Sequence, residues 1–283
     1  MSEVKIVECP RDAMQGLHDF IPTKDKVNYI QSLLEVGFDT IDFGSFVSPA
    51  AIPQLRDTAE VLGQLDISNS KSKLLAIVAN TRGAIEALQY SQIKYLGFPL
   101  SISETFQQKN TNKSISEAYF IVEEIYKAAL EKKVILVVYL SMGFGNPYGD
   151  LYDMHFVKDF VSKLDSIGIK IICPSDTIGI SKAEDITTLF QSLVSAFPHI
   201  EFGAHLHASP ANAQQKIKAA YDAGCRRFDG AIRGFGGCPM ATDKLVGNIA
   251  TEIMVSLFDE LHIGTGLDKN KLEIACQKAD LIF

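Results

Sequence analysis

The stretch Val4-Lys5-Ile6-Val7-Glu8-Cys9-Pro10-Arg11-Asp12 decides between two ways in which a chain of alternating strands and helices can fold. It begins with a short apolar run that is typical of a buried strand. An open, doubly wound sheet that binds a dinucleotide would carry Gly-x-Gly-x-x-Gly directly after that strand. This strand runs instead into a proline and an Arg-Asp pair. The first strand therefore favours a closed barrel.

Strand-like runs recur along the whole chain and alternate with segments of helical periodicity. The eight predicted strands are 4–8, 40–44, 73–79, 95–100, 134–142, 169–174, 201–207 and 227–232. The clearest helical segments are 24–36, 114–130, 153–166 and 182–196. Eight such units predict a protein of the α/β class, a TIM (β/α)8 barrel with a C-terminal helical extension. No linker rich in Pro, Gly or Ser divides the sequence, so we expect residues 1–283 to form a single domain.

Two local patterns predict where particular helices begin and end. Ser181 followed by Glu184 is a capping-box pattern, which predicts that Ser181 caps the helix beyond it. Gly168 stands just past another helical segment, where a left-handed residue ends a helix.

Composition excludes several classes of protein. The 283 residues include 27 Lys and Arg against 34 Asp and Glu, a net charge of −7 without a long basic run, which argues against nucleic-acid binding. No run approaches the roughly 18 apolar residues of a membrane span, and the first residues do not resemble a leader peptide. The five cysteines are widely scattered, which is typical of a reducing compartment. We therefore expect a cytoplasmic protein that binds neither membrane nor nucleic acid.

Polar side chains cluster where predicted strands end, and in a TIM barrel these ends share one rim. The set comprises Arg11, Asp12, Asp42, Ser45, Asn80, Ser141, Ser175, Asp176, His205 and His207. His205 and His207 are two residues apart on one strand, so both imidazoles face the same way. Together with Asp12 they provide three candidate ligands for a divalent metal ion. The alternative is that the two histidines merely fill a layer of the barrel.

Arg11 and Cys238 each have two interpretations. Arg11 is either a loop ion pair of Asp12 or a fixed donor to an oxyanion or enolate. Cys238 is either an inert small side chain or, because Gly234-Phe235-Gly236-Gly237 precedes it and Pro239 follows, an exposed thiol in a loop that closes over a ligand.

Several of these residues occur in an ordered series of motifs that resembles the 3-hydroxy-3-methylglutaryl-CoA lyase family over nearly the entire length. The motifs are 4–15, 45–49 with Pro53-Gln54, Ser175-Asp176-Thr177-Ile178-Gly179, His205-Leu206-His207, 234–239 and 247–252. The resemblance implies a metallolyase that uses Mg²⁺ or Mn²⁺ to split the acyl-CoA into acetyl-CoA and acetoacetate, as in leucine catabolism. It also implies an acyl-CoA substrate as partner, and a homodimer is a possible assembly.

The resemblance also implies roles for individual residues. Asp12, His205, His207 and Asn248 would hold the metal, Arg11 would stabilise the enolate, and Cys238 would move a proton. Asp176 and His205 are both candidates for the general base. The predicted substrate-binding residues are Gln15, Asp42, Asn80, Ser141 and Thr177. Asn80, with Arg82, would contact the CoA arm, although a solvated helix start explains this pair equally well.

The sequence departs from the family pattern beside the predicted metal site. Asp42 stands where the lyases carry Glu, and Ala208 stands where they tend to have Asp. The residue at 208 therefore cannot act as an acidic partner of the metal-binding histidines.

Two other functions are compatible with these residues. One is a related condensing or aldol-cleaving barrel, such as an isopropylmalate or homocitrate synthase or a 4-hydroxy-2-oxoacid aldolase. The other is a barrel that binds metal and ligand without turnover. The short segment beyond the eighth strand argues against the synthases, which generally carry extra C-terminal domains.

Overall fold

The computed structural model describes residues 3–237 and 246–283, and within them eight parallel strands close into a barrel. Each strand pairs with the next along the chain, and the eighth pairs with the first. The strands are β1 Lys5–Glu8, β2 Thr40–Ser45, β3 Lys73–Ile77, β4 Ile93–Ser101, β5 Ile135–Ser141, β6 Ile171–Asp176, β7 Glu201–Leu206 and β8 Arg227–Gly230. This confirms the predicted TIM barrel, and the predicted strand boundaries agree with the observed ones to within two residues.

Helices follow the strands and surround the barrel. They are α1 Pro10–Gln15, α2 Thr23–Val36, α3 Thr58–Gln64, α4 Thr81–Ala87, α5 Glu104–Thr111, α6 Ile115–Glu131, α7 Met154–Ile167, α8 Ala183–Ala196, α9 Pro210–Asp222, α10 Thr251–Glu260 and α11 Lys269–Ala279. The predicted C-terminal extension is confirmed, since α11 lies beyond the last barrel unit and packs against α2. None of the helices in the described ranges is long and apolar enough to cross a bilayer.

One prediction about helix ends is confirmed and the other is wrong. Gly168 ends α7 with a left-handed φ of 109°. Ser181 does not cap α8, because its hydroxyl donates to the carboxylate of Asp176 instead. The first turn of α8 is closed by Asp185, which accepts a hydrogen bond from the backbone N–H of Lys182 at 3.0 Å.

The apolar core forms two layers because strand side chains alternate between the faces of the sheet. The larger layer lies between the strands and the surrounding helices. The smaller layer fills the inside of the barrel with Leu75, Ile77, Tyr95, Val137, Tyr139, Ile171 and Cys173. The barrel is thus a packed body, and its polar side chains lie towards its two ends.

A network of charges lies at the end of the barrel where the strands begin. Arg227 is fully buried and lies 3.5 Å from Asp39 and 3.4 Å from Glu201. Lys5 pairs with Glu201, and Lys73 pairs with Asp39 at 3.0 Å. Every charged side chain of this network therefore has an oppositely charged neighbour.

Candidate active site

The first part of the site is built by α1, which begins immediately after β1. Pro10 occupies the first helical turn, where its missing N–H leaves no hydrogen bond unmade. The backbone N–H of Cys9 donates to the carbonyl of Gly230 at 2.9 Å, which ties the start of α1 to β8. Arg11 and Asp12, which follow, are 8% and 5% exposed. The short helix thus holds both side chains at the barrel mouth.

His205 is oriented by an acid that the sequence analysis did not identify. Its Nδ1 lies 3.1 Å from Oδ2 of Asp229, a buried residue of β8. Burial alone would lower the pKa of His205, but the hydrogen bond and the charge of Asp229 raise it. A carboxylate on Nδ1 is the usual way of presenting Nε2 of a histidine to a metal ion. Asp229 therefore supplies the acidic partner that Ala208 cannot.

His207 is buried and lacks hydrogen-bond partners. It is 2% exposed, and neither ring nitrogen has a partner within the described chain. Burial, together with the adjacent His205, lowers the pKa of His207 to about 4, so the imidazole is neutral at physiological pH. A buried polar group without a partner is costly. A neutral imidazole in this position is suited to binding a cation.

Asp12, His205 and His207 converge on one point. Each offers one ligand atom, and these atoms all lie within 4.8 Å of one another. Burial alone would raise the pKa of Asp12, but Arg11 and the two imidazoles lower it, so the carboxylate is charged. Two imidazole nitrogens and one carboxylate oxygen form a donor set that fits a divalent ion.

A backbone bridge brings Asn248 next to this cluster. Residues 207 and 248 form an isolated antiparallel bridge, which brings a distant part of the chain across the end of β7. The amide Nδ2 of Asn248 donates to Oδ2 of Asp12 at 2.6 Å. The fourth predicted metal ligand therefore contacts Asp12 through its side chain and residue 207 through its backbone.

Arg11 is fixed by acceptors on three sides. Its Nη2 donates to Asp42 at 2.6 Å, and its Nη1 donates to Asp12 at 3.0 Å and to Gln15 at 2.9 Å. Gln15 in turn donates to Asp12 at 2.6 Å. Burial raises the pKa of Asp42 to about 6, against the lowering effect of Arg11, and the nearby Asp12 and Asp229 raise it further. The two carboxylates in contact with Arg11, together with the nearby Asp229, give the mouth a negative potential that favours a bound cation.

A cavity of about 410 Å³ opens above this cluster. The predicted site residues that line it are Arg11, Asp12, Gln15, Ser141, Thr177, His205 and His207. Tyr139 and Lys109 also line it, and the sequence analysis identified neither. Tyr139 packs edge-on against His205 with ring centroids 5.5 Å apart. The cavity thus joins apolar walls to the polar cluster, as small-molecule sites generally do.

The predicted residues Asp42, Asp176 and Asn80 do not line this cavity. Asp176 accepts hydrogen bonds from Lys216 at 2.6 Å and from Ser181, and it does not line the cavity. Asn80 accepts from the backbone of Gly83 at 2.9 Å and caps α4, beside a separate cavity of about 240 Å³. The helix-start interpretation of Asn80 therefore has a direct structural basis. Cys238 lies outside the described residues.

Comparison with known proteins places this geometry in a family. The HMGL-like family model matches residues 3–278. A hydroxymethylglutaryl-CoA lyase of Bacillus subtilis is 33% identical over 93% of this chain and 87% of its own length. A 3-hydroxy-3-isohexenylglutaryl-CoA/hydroxymethylglutaryl-CoA lyase of Pseudomonas aeruginosa is 31% identical over 98% of this chain and 91% of its own length.

Solved structures agree with the sequence relatives. An HMG-CoA lyase of Acinetobacter baumannii, in complex with coenzyme A and 3-methylmalate, superposes with a TM-score of 0.91 at 29% identity, covering 99% of this chain and 90% of that one. The carboxyl transferase domain of Rhizobium etli pyruvate carboxylase, at 15% identity and a TM-score of 0.72 over 99% of this chain and 47% of that one, shares the fold alone. These matches do not favour the synthase, aldolase or binding-barrel alternatives. On the match over residues 3–278 and these full-length relatives, the chain belongs to the HMGL-like family.

Proposed function

We propose that this protein is a metal-dependent carbon–carbon lyase that cleaves 3-hydroxy-3-methylglutaryl-CoA, or a close acyl-CoA, into acetyl-CoA and acetoacetate. The observation that carries the proposal is the buried imidazole of His207, which has no hydrogen-bond partner among the described residues and lies beside Asp12 and His205. The names of the relatives and the coenzyme A in a structural neighbour support the substrate class.

The donor set described above would hold Mg²⁺ or Mn²⁺ through Asp12, His205, His207 and Asn248. When bound, such an ion supplies a Lewis acid that favours loss of the proton from the tertiary hydroxyl of the substrate. Asp229 and Gln15 would orient His205 and Asp12 towards the ion through the contacts that they already make.

Arg11 would stabilise the negative charge that develops when the carbon–carbon bond breaks. Cleavage leaves an acetyl thioester enolate, and a guanidinium held in a dry site donates strongly to such an oxygen. The contacts with Asp42, Asp12 and Gln15 fix the guanidinium before substrate arrives, so little reorganisation is needed. We expect Arg11→Ala to lower kcat by about 10²–10³-fold while the bound metal is retained.

The proton steps require a base and an acid. The contacts of Asp176 with Lys216 and Ser181 favour His205 as the base, because only His205 lines the cavity. Asp229 already occupies Nδ1 of His205, so Nε2 serves either the metal or the proton. Counting the imidazole nitrogens on bound Mn²⁺ by pulsed EPR distinguishes the two roles, with two nitrogens assigning His205 to the metal.

Cys238 is the proposed acid that returns a proton to the acetyl carbanion, an assignment that rests on the resemblance. Cys238→Ala should lower kcat by about 10²–10⁴-fold with metal content unchanged. Equal activity of the parent and this variant would remove Cys238 from the mechanism.

Other expectations remain predictions. They are a single domain over residues 1–283, a homodimer, a cytoplasmic location, a role in leucine catabolism and substrate contacts by Gln15, Asp42, Asn80, Ser141 and Thr177. Light scattering of the purified protein tests the homodimer.

The direct test is incubation of the purified protein and Mn²⁺ with 3-hydroxy-3-methylglutaryl-CoA. Acetoacetate and acetyl-CoA should form in equal amounts, and Asp12→Ala should form neither. A parallel assay with a longer 3-substituent measures how closely the cavity selects the acyl group. Condensation of a 2-oxoacid with acetyl-CoA, without any acetoacetate from the thioester, would contradict the proposal.

A further inference from the structure

The turn that follows β8, residues 231–237, contains a strained residue. Arg233 has a φ of 61° and is followed by Gly234 with a φ of 69°. The left-handed conformation is natural for glycine but unfavourable for arginine, because its Cβ approaches the backbone. Such a conformation persists only where the surrounding contacts hold it. The contacts of the Arg233 side chain provide this support.

Arg233 joins the turn to two helices. Its Nε and Nη2 donate to the two carboxylate oxygens of Asp280 at 2.9 and 2.7 Å, a bidentate pair just beyond α11. Its Nη1 donates to Glu252, in the first turn of α10, at 3.0 Å. The backbone N–H of Arg233 also donates to Glu252 at 3.0 Å. These four contacts explain how an arginine occupies a glycine conformation.

A second contact joins the same turn to the same end of α11. Phe235 stacks on Phe283 with ring centroids 4.7 Å apart and an interplanar angle of 24°. Phe283 also packs edge-on against Tyr29 of α2, with centroids 5.9 Å apart. The turn is thus held by an ion pair and by an aromatic pair, and residues 280–283 provide one partner of each. We call these four residues the α11 latch.

The turn that the latch holds is in direct contact with the proposed metal ligands. The carbonyl of Phe235 accepts a hydrogen bond from Nδ2 of Asn248 at 2.9 Å, and that same amide donates to Asp12. Gly236 lies so close that an added Cβ would be 2.6 Å from the backbone oxygen of Asp12. A shift of the turn would therefore displace Asn248 and press on Asp12.

We propose that the α11 latch is a positioning element for the metal site, acting through Arg233 and Phe235 on Asn248 and Asp12. The latch touches neither cavity nor ligands itself. It lies on the outside of the barrel, and its contacts fix the carbonyl that orients the Asn248 amide. The inference rests on the proposed function in one respect, namely that Asp12 and Asn248 bind a divalent ion.

The test is the affinity for Mn²⁺, measured by EPR titration of the full chain. The latch is opened by the double variant Arg233→Gly with Phe283→Ala, because glycine adopts the observed φ without strain and so protects the fold. We expect Mn²⁺ binding about 10-fold weaker than in the parent, in the range seen when partners of metal ligands are removed. Because the defect is in affinity, kcat at saturating Mn²⁺ should return close to the parent value.

The matched control is Lys271→Ala. Lys271 of α11 pairs with Glu35 of α2 at 2.6 Å, so this variant loosens α11 without touching the turn. Its Mn²⁺ affinity should equal that of the parent, and Phe283→Tyr, which keeps the ring stack, should also bind Mn²⁺ normally. Unchanged affinity in the double variant, or an equal loss in Lys271→Ala, would overturn the proposal. A parent that binds Mn²⁺ but cleaves no acyl-CoA would instead refute the proposed function and leave the latch standing.

Discussion

Charged groups lie at both ends of the barrel, but their partners differ between the two ends. At the end where the strands begin, Arg227 lies between Asp39 and Glu201, and two lysines complete the network. At the mouth, the carboxylates of Asp12 and Asp42 contact Arg11, while the imidazole of His207 has no hydrogen-bond partner among the described residues. Nε of Arg227 also has no hydrogen-bond partner among the described residues, but only the open nitrogens of His207 border a cavity, which indicates a ligand at the mouth. The comparison predicts different consequences for mutations at the two ends.

The largest expected effect is at the mouth. His207→Ala should abolish stoichiometric binding of the divalent ion and lower kcat by about 10³-fold or more, since the ion contributes several kcal/mol to the transition state. The melting temperature measured without metal should change little, because the imidazole makes no hydrogen bond to the described part of the chain that would be lost. Metal analysis and activity of the purified variant check this.

The control for His207→Ala is His199→Ala, which removes an exposed imidazole that binds Asp165 far from the mouth. Full metal content in His207→Ala would remove this residue from the ligand set and weaken the contrast between the two ends.

At the opposite end we expect the reverse pattern. Arg227→Ala should lower the free energy of unfolding by about 3 kcal/mol, chiefly because it empties the space of a fully buried side chain, while Asp39 and Glu201 keep Lys73 and Lys5 as partners. Urea denaturation measures this loss, and Arg227→Met separates the lost charge from the lost packing. The folded variant should still bind one divalent ion per chain. Loss of the ion with stability retained would show that the two ends are not distinct.

Glu8, at the end of β1 nearest the mouth, is a buried acid whose pKa can be compared with those of the ion-paired acids at the opposite end of the barrel. It accepts hydrogen bonds from Thr251 and from the backbone of Ile232, and burial raises the pKa of Glu8 to about 8. Its folded pKa is above its ordinary value of 4.5, so its contribution to stability is complete below about pH 4.5 and is lost as the pH rises through 8. The unfolding free energy of the parent should therefore fall by a few kcal/mol between pH 5 and 9 relative to Glu8→Gln. Parallel curves for the two proteins would show that Glu8 is ionised in the fold.

The smallest effect concerns Asp229, which links the barrel interior to the metal site. Asp229→Asn keeps an oxygen near Nδ1 of His205 but removes the charge that raises the pKa of His205. We expect Mn²⁺ to bind about 10-fold more weakly, as for other partners of metal-binding histidines. Isothermal titration with Mn²⁺ measures the change, and an unaltered dissociation constant would make Asp229 a purely structural residue.

The fold was predictable because its signals are local. Each strand is a short β-rich run, and each long helix has a clear apolar periodicity, so both appear in a single pass along the chain. The prediction that Ser181 caps α8 failed because a tertiary contact with Asp176 outweighs the local capping pattern. The convergence of Asp12, His205 and His207 followed from the topological rule that strand ends share one rim.

The remaining parts of the site depend on contacts that no local pattern encodes. Asp229 lies within β8 rather than after it, so a search confined to strand ends misses its inward-facing carboxylate. Lys109 reaches the cavity from α5, where a lysine is indistinguishable from a solvated one. Asp176 was a reasonable candidate from its position, yet its partner Lys216 comes from α9 and engages it outside the cavity.

The bridge between residues 207 and 248 is made by backbone atoms, and backbone pairing does not depend on which side chains flank it. Two segments some forty positions apart are therefore joined by peptide groups, in addition to the side-chain contacts of Asn248. The backbone pairing itself does not require a particular flanking side chain at position 246. Side chains around the cavity can therefore differ between such barrels while the proposed ligands His207 and Asn248 keep their spacing.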